Sequence, residues 1–257
     1  MRRLKIESYG ISNVGMKRSQ NEDSYLINDE MNLYMVADGM GGHLGGEFAS
    51  KLAVATVEEM IRNLRFDPDC TQIRGVNTDE GGPGNMLIHS IQEAGRRIHD
   101  QALFDETLRG MGTTAVAAFY VNPYLYIANV GDSRAYRIRE GKLSQVTEDH
   151  SLVSEQIKAG MISQKDARGH KLKNIITRSV GYQEEVDIDI LKEEVKAGDK
   201  YLLCSDGLSN LVDDKEIEEI VDQHDLQEAC EKLVTSANSR GGDDNITVVI
   251  LQVDEIT

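Results

Sequence analysis

The sequence predicts a mixed α+β fold, and three observations carry that reading. Short apolar runs of strand length recur along the chain, several return as hairpins through turn residues, and longer segments between them repeat apolar residues at helical spacing. With 257 residues, 40% of them apolar, the chain can bury a sizeable core. No linker, internal repeat or low-complexity tract interrupts it, so 1–257 reads as one domain.

Composition removes several classes of function. A net charge of -16 argues against a nucleic-acid surface, because that kind of binding depends on Lys and Arg neutralising phosphates. The longest uninterrupted apolar run, 115–121, falls far short of the roughly 20 residues a membrane span needs, so no membrane insertion is expected. The first eight residues carry charge with no apolar stretch behind them and do not read as a secretory signal. Cys70, Cys204 and Cys230 are scattered without metal-ligand spacing, which fits a reducing cytoplasm.

The elements follow in order. Residues 7–11 read as a first strand, followed by a polar loop that carries Arg18 and Glu22, a planar cationic fork suited to phosphate and a hard oxygen donor. A strand at 25–27 turns through 28–30 into a second at 33–37, a hairpin that delivers Glu22 and Asp38 to one sheet. At Asp38 the apolar run stops in a glycine-dense turn, 39–46, and helical periodicity begins, giving a helix over 47–64. Glycines there leave backbone groups uncovered, which suits a cation or phosphate at close range, although Asp-Gly is also an ordinary turn signal.

Residues 66–85 lose periodicity and read as a surface loop; a helix resumes from Met86 to about Leu108. Residues 110–114 turn into a buried strand at 115–121, a segment assigned to packing that shapes the site. Strands follow at 124–130 and 135–139, separated by Gly131-Asp132-Ser133-Arg134, where Asp132 alone reads as the acid of a tight turn. A short amphipathic helix opens near Ser151, and the weakly periodic remainder to Gly181 suits a flap over a site; His150 and His170 read as surface or capping residues. A strand at 200–205 ends at Asp206, and helices follow, the first capped by Asp213 and Asp214. Asp244 then precedes a last strand, 246–251.

Glu22, Asp38, Asp206 and Asp244 thus all lie beside turns at strand ends. An all-oxygen donor set without His or Cys suits Mg²⁺ or Mn²⁺. Two such cations would relieve the mutual repulsion of the acids, activate a bridging water and stabilise an in-line phosphoryl displacement. Spacing by itself leaves open whether these distant residues converge.

Six segments in one order carry a resemblance: Gly15-x-x-Arg18-x-x-Asn21-Glu22-Asp23, Val36-Ala37-Asp38-Gly39-Met40-Gly41-Gly42, Gly112-Thr113-Thr114, Gly131-Asp132-Ser133-Arg134, Ser205-Asp206-Gly207-Leu208 and Asp244-Asn245-Ile246-Thr247. With them the chain resembles, end to end, the metal-dependent PP2C-type (PPM) serine/threonine protein phosphatases, in particular their compact bacterial members. The resemblance implies a four-layer α-β-β-α sandwich, two packed antiparallel sheets flanked by helices, with a binuclear Mn²⁺ or Mg²⁺ site at one end. It implies Asp38 as the ligand shared by both ions, the Gly39 carbonyl and Glu22 on one, Asp206 and Asp244 on the other, and Arg18 on the phosphate. Asp132, with Asp206, matches a third, weaker metal site, and 147–181 matches the flap.

The chain departs from many eukaryotic relatives in one respect: Met40 stands where they carry a general-acid histidine, and His43 follows three residues later. The acid is therefore open between His43 and a water at the cations. The implied substrates are phosphoproteins, among them an autophosphorylating Ser/Thr protein kinase that this enzyme opposes, or else a phosphorylated anti-sigma-antagonist protein; a cytoplasmic monomer is expected. A non-catalytic scaffold on the same fold would be marked by lost metal ligands, and none of the matched ligands is lost. A cysteine phosphatase is excluded, because Val76, Asn210 and Ser236 stand six positions after the three cysteines, where an arginine would be needed. No phosphate-binding P-loop sequence occurs, and 39–44 lacks the final glycine of a dinucleotide motif.

Overall fold

The computed structural model describes residues 3–41, 44–66, 82–163, 166, 170 and 172–256. In chain order these form strands β1 (Arg3–Asn13), β2 (Asp23–Asn28) and β3 (Leu33–Met40), helices α1 (Gly45–Phe66) and α2 (Pro83–Phe104), and strands β4 (Gly112–Thr113), β5 (Ala115–Val121), β6 (Tyr124–Val130), β7 (Arg134–Arg139) and β8 (Lys142–Gln145). Helix α3 (Leu152–Lys158), strands β9 (Asp189–Glu194) and β10 (Lys200–Cys204), helices α4 (Asp206–Ser209), α5 (Asp214–Gln223) and α6 (Leu226–Ser239), and strand β11 (Ile246–Ile256) complete it.

One sheet runs β1-β11-β10-β7-β8 and the other β2-β3-β5-β6-β9, with β4 paired to β3, and every strand pairing is antiparallel. The central strands are apolar on both faces because both faces are covered. Tyr34 and Val36 of β3 and Val116 and Ala118 of β5 meet Tyr201 and Leu203 of β10 and Val249 and Leu251 of β11 between the sheets. The alternate residues of β3 and β5, Leu33, Met35, Ala37, Ala115 and Ala117, pack under Ala53, Val57 and Ile61 of α1 and Ile91, Ala94 and Ile98 of α2. Leu202, Cys204, Val248 and Ile250 do the same under Ile217 and Val221 of α5 and Leu233 and Ala237 of α6. The result is the α-β-β-α sandwich.

Several boundaries differ from the sequence reading. Strand β3 continues to Met40 because Gly39 and Met40 find backbone partners in Thr113 and Gly112, so the segment 110–114 does more than fill space. Helix α2 starts at Pro83, a residue with its φ preset for a first turn. It ends at Phe104, followed by a 3₁₀ turn at Glu106–Leu108. Strands β1 and β11 extend each other in eleven-residue register, from Arg3↔Ile256 to Asn13↔Ile246. Most of the stretch read as a surface loop, 67–81, and with it Cys70, lies outside the described residues, as do Gly42 and His43. No helix among the described residues is long and apolar enough to cross a membrane.

Candidate active site

Antiparallel pairing decides where the acids go. The end of β3 meets the start of β2, with Asp23 opposite Asp38; the start of β5 meets the end of β6; the end of β10 meets the starts of β11 and β7. All of these termini fall at one end of the sandwich. There a cleft of about 470 Å³ is lined by Arg18, Glu22, Asp38, Gly39, Asp132, Asp206 and Asp244, together with Met40, Thr114, Asn174 and Ile176. Every described residue nominated from sequence is therefore brought to one place; His43 lies outside the described residues. Among the described residues, a larger hollow of about 550 Å³ near the end of α1 and the start of α2 has Lys5 as its one charged lining residue and none of these acids.

The cleft is held by a dense set of hydrogen bonds, several of them from Thr113 and Thr114, in a segment expected only to pack. The Asp38 N–H donates to Thr114 Oγ1 at 2.9 Å, and the Asp38 carbonyl accepts from the Thr114 N–H at 2.8 Å and from Thr113 Oγ1 at 2.9 Å. Asn245 clasps the loop that carries Arg18: its Nδ2 donates to the carbonyls of Val14 (3.0 Å) and Gln20 (2.9 Å), and its Oδ1 accepts from the Glu22 N–H (2.8 Å). Asp206 Oδ2 accepts from Asn210 Nδ2 at 2.9 Å, one helical turn on. Arg18 reaches across to Asp244 Oδ2 at 2.8 Å, with Glu22 at 3.9 Å. Gly39 is packed so closely that a Cβ there would lie 2.1 Å from the Gly46 carbonyl oxygen and 2.5 Å from that of Glu22. Only glycine permits that approach.

Asp23, which sequence reasoning passed over, joins the two sheets under the cleft. Its Oδ2 accepts from Ser205 Oγ (2.8 Å), beside Asp206, and from Thr247 Oγ1 (2.6 Å), three residues from Asp244. Its Oδ1 is buried without a partner among the described residues. The signal was present in the acid pair Glu22-Asp23, but nothing in spacing said that one acid would face the cleft and the other the sheet interface.

The electrostatics of the cleft are those of several acids crowded together and withdrawn from water. Withdrawal from water, opposed by the Thr247 and Ser205 hydroxyls and reinforced by Asp206 and Asp244, pushes the Asp23 carboxyl up to about 7. Burial, Asp206 and Asp149 push Asp132 to about 8; burial and Asp244 push Asp206 to about 6. Asp38 is raised well above the usual carboxylate range by burial and by Asp23, Asp206, Asp132 and Asp244. Among the described residues no three His, Cys, Asp or Glu side chains are grouped tightly enough to form a ready-made metal cage. What the cleft offers a hard divalent cation is an all-oxygen donor set and a surplus of negative charge, and such a cation fits it.

His150 overturns its sequence reading. It is only 5% exposed, and Gly131, the residue before Asp132, donates its N–H to Nδ1 at 3.1 Å. Arg134 of the same turn is held by Asp149 through Nε and Nη2 at 2.7–3.1 Å.

Comparison with known proteins identifies the family. A family model described as protein phosphatase 2C matches residues 12–246. The serine/threonine phosphatase stp of Listeria monocytogenes is 39% identical over 244 residues, 93% of this chain and 93% of that protein. The solved serine/threonine phosphatase PstP/Ppp of Mycobacterium tuberculosis superposes with a TM-score of 0.86 at 32% identity, covering 97% of this chain and 99% of the other. A structure of the PstP catalytic domain in complex with two manganese ions gives 0.85 at 32% identity, covering 98% and 100%. The chain belongs to the protein phosphatase 2C family, the PP2C-type serine/threonine protein phosphatases.

Proposed function

We propose that this protein hydrolyses phosphoserine and phosphothreonine on other proteins by direct attack of water, with two Mn²⁺ or Mg²⁺ ions held in the cleft. Asp38, Glu22, the Gly39 carbonyl, Asp206 and Asp244 would hold these ions, and Asp132 with Asp206 would hold a third. The observation that carries this is the convergence of these carboxylates from both sheets on one cleft, with Arg18 at its rim. When bound, the ions supply an activated water and neutralise charge that develops on the phosphoryl group.

The chain's own residues do the rest. Arg18, 48% exposed and anchored through the loop that Asn245 clasps, presents a planar fork that binds and orients the phosphoryl oxygens. The Thr113 and Thr114 hydroxyls and the Thr114 N–H fix the Asp38 backbone, so its carboxylate is placed before any ligand arrives. Asn174 and Ile176 close the side of the cleft that belongs to the flap, 147–181, and so stand where a substrate chain must pass. Met40 has no proton to give the leaving alkoxide, which leaves that task to His43 or to water in the cleft. The substrates are phosphoproteins, including a Ser/Thr protein kinase, met by a cytoplasmic monomer formed of one catalytic domain.

The test is turnover of a phosphothreonine peptide by Asp38→Asn and Asp206→Asn, each shown folded by circular dichroism. Loss of a direct ligand should cost more than the 10- to 100-fold typical of outer-sphere changes, roughly 10³-fold or more. Either variant retaining full activity would overturn the assignment.

A further inference from the structure

His150 is a buried, chemistry-bearing side chain that the mechanism above does not use. Its surroundings belong to three separate parts of the fold. Its backbone N–H donates to the Gly131 carbonyl at 2.9 Å, and the Gly131 N–H returns a bond to His150 Nδ1 at 3.1 Å, so the two residues are doubly joined. Gly131 holds φ +101°, and a Cβ there would meet the Thr114 side chain at 2.6 Å, so this corner is tightly set between Thr114 and Asp132. On the other side of the ring, Nε2 lies 3.2 Å from Asp189 Oδ2 on the edge strand β9. Asp189 Oδ1 accepts from Arg178 Nη1 at 2.9 Å, and that same nitrogen lies 3.3 Å from His150 Nε2. The His150 carbonyl accepts from the Thr177 N–H at 2.8 Å, and Ser151 bridges to Ile176.

A backbone N–H can only donate, so Nδ1 is the acceptor and the ring's proton sits on Nε2, where it is donated to Asp189. Burial works against the Asp189 charge, but hydrogen bonds from His150 and Arg178 outweigh it and hold that carboxyl below the usual range. One ring thus reaches from the Gly131-Asp132 corner to Asp189, and through Asp189 to Arg178 of the flap segment 174–178, whose Asn174 and Ile176 line the cleft.

We infer that His150 is a positioning residue for the phosphatase reaction: as the Nε2–H tautomer it ties the corner bearing Asp132 to the 174–178 lip, and so fixes the width of the cleft between acid and substrate-facing residues. This rests on the phosphatase reading for its consequence, not for its geometry.

Two variants separate the two ends of the tie. His150→Asn puts a carbonyl oxygen where Nδ1 stands and cannot reach Asp189; His150→Gln puts an amide nitrogen near Nε2 and gives up the acceptor for Gly131. Hydrogen exchange read by mass spectrometry on the full chain, without cation or substrate, should show the lip about tenfold faster in the Asn variant with the corner unchanged, and the reverse in the Gln variant, the loss expected of one hydrogen bond. In kinetics, the Asn variant should raise KM for a phosphopeptide several-fold while kcat on a small aryl phosphate stays within twofold; the Gln variant should lower kcat on both. Uniform loosening of both segments in both variants, or no change in either, would overturn the inference. So would an Nδ1–H tautomer in the imidazole ¹⁵N spectrum of wild-type protein, a measurement that needs no variant. If the exchange split and tautomer appear but wild-type protein loaded with either cation hydrolyses neither compound, the phosphatase reading falls and the structural tie stands.

Discussion

Thr114→Val tests whether the seat of Asp38 is built as described. Valine keeps the shape of threonine and removes only the hydroxyl. That hydroxyl, on a residue 3% exposed, accepts from the Asp38 N–H at 2.9 Å and shares a bond of 2.7 Å with Ser133 Oγ, on a residue with no exposure at all. The substitution leaves a buried N–H and a buried hydroxyl short of a partner. Each such group costs about 1–3 kcal/mol, and because the two share one site the sum is expected near 2–4 kcal/mol. For a chain of this size that is a fall in Tm of about 5–15 °C. Thr114→Ser keeps both bonds and gives up one buried methyl, about 1 kcal/mol. Urea denaturation of cation-stripped protein isolates the structural term: the midpoint should fall in Val more than in Ser, with m unchanged in both. A valine variant as stable as the serine variant would refute the reasoning.

Other consequences follow from the same geometry. In chelator-treated protein burial and neighbouring acids hold Asp23 up at about 7 and Asp132 up at about 8, above the ordinary carboxylate range, so the folded state keeps protons that the unfolded chain releases. Their contribution is whole below about pH 4 and lost as pH rises through about 8, so Tm should be higher at pH 5.5 than at pH 8 in a thermal scan. Added Mn²⁺ should raise Tm at pH 8 more than at pH 5.5 by binding the deprotonated form. Gly39→Ala pushes a methyl against the Gly46 carbonyl oxygen at 2.1 Å; overpacking of about 1–3 kcal/mol or more should appear as a Tm lowered by roughly 5–10 °C and as weaker Mn²⁺ binding in calorimetry. Far from the cleft, Arg139 forks onto Asp199, a residue 1% exposed, at 2.6 and 2.7 Å. Arg139→Leu leaves that charge unpaired and should cost about 3–5 kcal/mol in urea denaturation while turnover per folded molecule is unchanged.

The parts of the fold legible in sequence are those where one physical cause dominates. Strands β5, β6 and β10 are buried on both faces and appear as continuous apolar runs; the Asp213 cap of α5 is visible because its carboxylate accepts from the Glu216 N–H. Strand β9 was not legible: it is an edge strand with three exposed charged residues in DILKEE, and its pairing to β6 comes from the fold rather than from its own pattern. The cleft acids were legible because acids recur at the ends of apolar strand runs, beside turns, in several separate segments. Their supports, Asp23, Asn245, Thr113 and Thr114, were not, since each acts through backbone groups distant in sequence. His150 was misread because a lone polar histidine at a helix start looks like a cap; its burial is imposed by Gly131 and Asp189, 19 and 39 residues away.

If the acids of this cleft serve as cation ligands for phosphoester hydrolysis, turnover must depend on added cation. The most direct measurement is phosphate release from a phosphothreonine peptide by cation-stripped wild-type protein, titrated separately with Mn²⁺ and Mg²⁺. Negligible release without cation and saturable restoration by at least one of the two are expected. Release that is the same with and without cation, or no release with either in protein shown to be folded, would contradict it.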